Sequence, residues 1–118
     1  MQIKAKTFDE WVNLYEHKTG EEFIVFEGFR LAFDPVDGFF LFKVDEKDGV
    51  KFINIAHTCV TSWKWVIDSL RDYAIAVGAT YYATATKRNE KAYAKLTGGI
   101  RKPEYDYDGY KVFVKEVV

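Results

Sequence analysis

The chain has 118 residues, 48% hydrophobic and 18% aromatic, with seventeen basic against eighteen acidic side chains and a net charge of −1. That length is one domain by the usual size prior, the apolar content is ample for one core, and the composition argues against disorder. A near-neutral balance gives no global attraction to nucleic acid or to an anionic membrane surface.

Cys59 is the single cysteine, so no internal disulfide can form. CxxC and Cys/His metal spacings are absent, which fits a reducing compartment. The start, Met1-Gln2-Ile3-Lys4-Ala5-Lys6, is not followed by the apolar run of a signal peptide, and no stretch approaches the roughly 20 residues needed to cross a bilayer. A cytosolic single domain spanning residues 1–118, without a membrane partner, is the expectation. No repeat, low-complexity tract or linker divides it.

Thr7-Phe8-Asp9-Glu10 fits a capping box, in which the Thr hydroxyl and the Glu carboxylate each satisfy a free amide at a helix start. Phe8, Trp11, Val12 and Tyr15 then share a face, and Gly20 ends the helix. Residues 22–60 carry β-branched and aromatic runs broken at Asp34–Gly38 and Glu46–Gly49, which predicts three or four antiparallel strands. From Ser62 to Val77 the period changes: Trp63, Val66, Ile67, Leu70, Ala74 and Val77 form one helical face, closed by Gly78. Thr80–Thr86 reads as a strand and Asn89–Leu96 as a short helix stopped by Gly98-Gly99. Pro103–Tyr107 and Tyr110–Val117 flank Asp108-Gly109, a hairpin signal because both turn positions need positive φ.

Within this order, Leu70, Ala74 and Gly78 stand at four-residue intervals before an apolar strand. Asn89-Glu90-Lys91-Ala92, Leu96 and Gly98-Gly99-Ile100 follow it. From about residue 22 to 118 the chain therefore resembles the GNAT N-acetyltransferase family, although the closing Gly-apolar pair arrives one residue early and Ile100 replaces the usual Phe. The resemblance implies an α+β fold, a mixed and mostly antiparallel sheet flanked by about three helices.

The chain departs from the family at the loop that binds acyl-coenzyme A. There the family carries Arg/Gln-x-x-Gly-x-Gly/Ala, whose bare backbone approaches a pyrophosphate at a helix N-terminus. Counting back from Gly78 puts Thr58 on the basic position and Thr61 and Trp63 on the glycine positions, and no glycine lies between Gly49 and Gly78. The family-equivalent cofactor positions are thus Thr61, Ser62, Trp63 and Asn89. A Trp side chain of about 150–250 Å² would fill the space of the phosphate. The resemblance, so modified, implies a domain that has lost acyl-CoA binding, takes no cofactor and acts through protein contacts. Val60-Thr61-Ser62 before an aromatic helix is similar to bacteriophage GNAT-like proteins with an eroded loop, which implies a structural or accessory role in host cytoplasm or virion. The alternative is an active, divergent N-acetyltransferase using acetyl-CoA.

An active enzyme would need a base for the acceptor amine and an acid for the leaving thiolate. By strand alternation, Ile53, Ile55, His57 and Cys59 point one way, which makes His57 the candidate base; Tyr93 is the candidate acid. The ordinary alternative, favoured by the apolar face, is a hydrogen-bonded core histidine. Cys59 near His57 suggests an activated thiol, but without an oxyanion hole or a third member the pattern fits a small buried thiol better. Asp34, Asp37, Asp45, Glu46 and Asp48 lack EF-hand spacing and read as solvated turns rather than a metal site. Trp65 lies about 200° around the helix from Trp63, so it either faces a partner or packs under the meander. Lys87, Arg88, Lys91, Lys95, Arg101 and Lys102 make the last third basic, which reads as a solvated face rather than a nucleic-acid surface.

Overall fold

The computed structural model describes residues 5–87 and 90–117. Its elements run α1 (Phe8–Thr19), β1 (Arg30–Asp34), β2 (Gly38–Lys47), β3 (Val50–Val60), α2 (Trp63–Val77), β4 (Tyr81–Thr86), α3 (Glu90–Thr97), β5 (Ile100–Arg101) and β6 (Lys111–Glu116). Across the sheet the order is β1-β2-β3-β4-β6-β5, and β3 with β4 is the parallel pair among antiparallel neighbours. This is the expected α+β class, with three helices on a mixed, mostly antiparallel sheet. No helix among the described residues is long and apolar enough to cross a membrane.

The helix ends follow from local chemistry. The Glu10 amide donates to the Thr7 hydroxyl, and the Thr7 amide donates to the Glu10 carboxylate, closing the capping box. Ser62 caps α2 by accepting from the Lys64 amide, and Gly78 at φ +80° turns the chain out of it. Asp108 and Gly109 both have positive φ, as their hairpin turn requires.

The two faces of the sheet carry separate cores. Phe40, Ile53, Ile55 and Phe113 pack against Val66, Leu70 and Ala74 of α2, with Tyr93 of α3 in the same cluster. On the other face Phe39 and Cys59 pack against Trp11 and Tyr15 of α1. Trp65 is half-buried with its ring edge on Phe40, so it packs on the meander.

Three antiparallel strands occupy residues 30–60, within the three or four expected between residues 22 and 60, while Phe23-Ile24-Val25-Phe26 pairs with no strand among the described residues. The Phe23 amide donates to the Glu16 carboxylate, and its ring meets Phe8, Tyr15 and Phe39 edge-on, so the segment is anchored by packing rather than by a ladder. Two sequence expectations need correction. First, Pro103–Tyr105 is a single 3₁₀ turn. Proline supplies no donor and sets φ for such a turn, so the partner of β6 is Ile100–Arg101 instead. Second, the simple alternation along β3 fails at His57.

The cause is a β-bulge. Phe39 faces Cys59 and Leu41 faces Ala56, so β2 advances two residues while β3 advances three. His57 sits in the extra length at φ +37°. Ile53 and Ile55 consequently face α2, whereas His57 and Cys59 face α1. His57 and Cys59 share a face as expected, but it is the face opposite Ile53 and Ile55.

Candidate functional site

Pairing of β3 with β4 stops at Ile55 and Thr84, although β3 continues to Val60 and β4 to Thr86. The bulge bends β3 at the point where the pairing ends. A cavity of about 650 Å³ occupies the gap, within the range of about 300–1,000 Å³ common for ligand sites. His57 and Tyr93 both stand on its wall, as do Trp63, Tyr15, Glu21 and Tyr110.

Glu21 is the polar centre of this wall. Its carboxylate accepts from the Tyr15 hydroxyl at 3.1 Å through one oxygen and from the Tyr110 hydroxyl through the other. The Tyr15 hydroxyl also meets His57 Nδ1. A carboxylate can only accept, so the Tyr15 proton points to Glu21 and the imidazole donates Nδ1–H to the Tyr15 oxygen. That assignment leaves the lone pair of the neutral ring on Nε2, which is buried and has no partner among the described residues. Phe26 stacks over the imidazole with ring centroids 5.2 Å apart.

The electrostatics agree with a neutral imidazole. Burial pushes the His57 pKa below its usual value, against a weaker opposing pull from Glu21. Burial and the Glu21 charge push the Tyr15 hydroxyl well above the usual phenol range, and Tyr110 is pushed up to about 12, chiefly by its hydrogen bond to Glu21. Lys87 Nζ lies 4.7 Å from the centre of the Tyr110 ring, a cation–π contact. Chemically, the wall carries a neutral imidazole backed by a Tyr–Glu chain and held beneath an aromatic ring, with its Nε2 buried.

A native pKa below the unfolded one means that acid favours the unfolded chain. The stability from the neutral ring is complete above about pH 6.5 and is lost as the pH falls through that value toward the native pKa. We expect the urea midpoint to drop between neutral and mildly acidic pH. In His57→Asn, whose side chain tolerates positive φ, the drop should be smaller. Equal drops in both proteins would mean that the acid sensitivity has another source.

Tyr93 is buried, its hydroxyl 2.8 Å from the Thr84 hydroxyl and its ring edge against Trp63. Trp63 is buried where α2 begins, between the α2-side core and the cavity. Three amides around that start donate within the chain: Thr61 to the Asp37 carbonyl, Lys64 to the Ser62 hydroxyl and Trp65 to the Ser62 carbonyl. Asn89 lies outside the described residues. Cys59 is buried among Trp11, Tyr15 and Phe39, the surroundings of a small core thiol.

The acidic turns do local work. Asp34 accepts from the Val36 and Asp37 amides, and Asp45 accepts from Asn54 and pairs with Lys43. Of the basic residues in the last third, Arg101 is held by Glu90 and Asp106, while Lys91 and Lys95 are exposed. Arg88 lies outside the described residues.

Sequence reasoning singled out His57, Tyr93, Trp63 and Ser62, and missed Glu21 and Tyr15 as polar members. Tyr15 carries the signal of a helix core position, and Glu21 follows Gly20 as an ordinary loop acid. Their meeting with Tyr110 spans up to 89 positions of chain, and no local spacing encodes it. No protein-family model matches this chain, and no curated protein matches it either.

Proposed function

We propose that this is a GNAT-like domain that does not hold acyl-coenzyme A in the family's manner and acts through protein contacts, as a structural or accessory protein. The observation that carries this reading is the start of α2: a buried indole stands at the position that matches the family's bare backbone, and the amides of Thr61, Lys64 and Trp65 donate within the chain. A pyrophosphate needs several free N–H groups at a helix start, and here an indole stands beside that start while three of the surrounding amides already donate within the chain. Ile24, Val25 and Phe26, three consecutive large apolar residues each about half exposed, supply surface of the kind that partners cover. The resemblance to eroded phage proteins supports a virion or host-cytoplasm setting for such a domain.

A second reading, an N-acetyltransferase with acetyl-CoA on an altered path, rests on the cavity between β3 and β4. Its size suits a ligand, and a neutral His57 with Tyr93 on the same wall would provide base and acid.

Thermal unfolding with and without millimolar acetyl-CoA separates the two. A ligand binding only the native state at a hundredfold excess over Kd adds about 2.7 kcal/mol, a rise of several degrees in a domain of this size. No rise is expected. A clear rise would overturn the first reading and make His57 and Tyr93 the first residues to replace in an acetyl-transfer assay.

A further inference from the structure

β1 is the terminal strand of the sheet, and its outer edge pairs with no strand among the described residues. Such an edge offers unpaired N–H and C=O groups, and proteins commonly guard it with lysine, proline, a bulge or a covering element. Arg30-Leu31-Ala32-Phe33-Asp34 contains neither lysine nor proline, and it pairs in unbroken register with β2. Leu31 and Phe33 remain 43% and 37% exposed although they lie opposite Leu41 and Phe39 of the core-facing β2.

The strand is complementary to itself. Laid antiparallel on a second copy with the two-fold axis through Ala32, it sets Arg30 opposite Asp34, Leu31 opposite Phe33 and Ala32 opposite Ala32. Residues directly opposite in an antiparallel pair point to the same face, so the two apolar pairs meet on the α1 side and the two ion pairs on the α2 side. Arg30 is exposed and has no ion pair among the described residues. A shift by one or two residues breaks both charge pairs, and a parallel arrangement in register places like charges together.

We propose that β1 is a self-association edge, joining two copies of this chain into a continuous twelve-stranded sheet. The inference goes beyond the proposed function, because it stands on the strand edge and is indifferent to what the cavity holds. An edge of five residues makes a small interface, so the dimer is weak and reversible.

Sedimentation velocity across a wide concentration range tests the association, with Arg30→Asp as the main variant. Wild type should pass from monomer to dimer. Arg30→Asp places Asp opposite Asp34 in both ion pairs and should raise the dissociation constant by about tenfold or more. Register is tested by mild oxidation of Ala32→Cys, which the two-fold axis sets against its own copy, so a disulfide-linked dimer should form. Arg30→Cys should not link, because the offset of four residues separates its copies by about 14 Å. The wild-type chain, whose one cysteine is buried, is the blank. A wild type that stays monomeric throughout, a dimer indifferent to Arg30→Asp, or equal linking by both cysteine variants would each overturn the proposal.

Discussion

Trp63→Ala is expected to lower the free energy of unfolding by about 3–5 kcal/mol, the usual cost of removing a large aromatic from a core. The indole touches the clusters of both α2 and α3: it belongs to the apolar set of Ile55, Val66 and Phe113 and lies edge-on to Tyr93 at 6.1 Å. A domain has only about 5–15 kcal/mol in hand, so the variant should melt many degrees lower and unfold at a clearly lower urea midpoint. Opening the space leaves the amides of Thr61, Lys64 and Trp65 bonded within the chain. The variant is therefore expected to show no stabilisation by acetyl-CoA. Stabilisation by acetyl-CoA in Trp63→Ala but not in wild type would show that bulk alone excludes the coenzyme. A loss of under about 1 kcal/mol would mean that the indole contributes little to the core.

Gly38→Ala should cost about 3 kcal/mol for a different reason. Gly38 opens β2 at φ +113°, and a Cβ built there lies 2.1 Å from the Cys59 carbonyl oxygen and 2.9 Å from the Val60 Cα. Both are backbone atoms of the paired strand, so relief requires β2 and β3 to separate where Gly38 faces Val60. The same region holds the Thr61 to Asp37 hydrogen bond that sets the approach to α2. Gly20→Ala is the comparison: its φ is also positive, at +71°, but nothing lies within 4 Å of the added carbon. That variant should cost only about 1–2 kcal/mol, the left-handed penalty alone. Chemical denaturation of both proteins separates contact from conformation, and equal losses would refute the close-approach account of Gly38.

The two substitutions divide what was legible locally from what was not. The helices could be read because their signals act within a few residues: the Thr7–Glu10 box, the Ser62 cap, Gly20 and Gly78 at the ends, and the apolar face from Trp63 to Ala74. The turn at Asp108-Gly109 belongs to the same class. Phe23–Val25 has strand-like composition but forms no strand, because β propensity describes fitness for a sheet, not the presence of a partner strand. Pro103 misled because the hairpin signal was extended upstream through a residue that cannot donate to a ladder.

The site was legible only in part. His57, Tyr93 and Trp63 were found because a histidine on a strand, a tyrosine on a short helix and an indole at a helix start are unusual in sequence. Glu21 was not, since its hydrogen bonds to Tyr15 and Tyr110 exist only after α1 and the final hairpin meet over the end of β3.

By itself, the sequence determined the α+β class, the order of its helices and strands around the central helix, the helix caps and the absence of glycine before α2. Those properties depend on residue type and short-range periodicity. Tertiary structure alone decided the bulge at His57, the early end of β3–β4 pairing and the cavity this opens, together with the Glu21 cluster on its wall. These depend on strand register and on contacts between segments up to 89 residues apart, where the deciding forces are burial and pairing geometry rather than local preference.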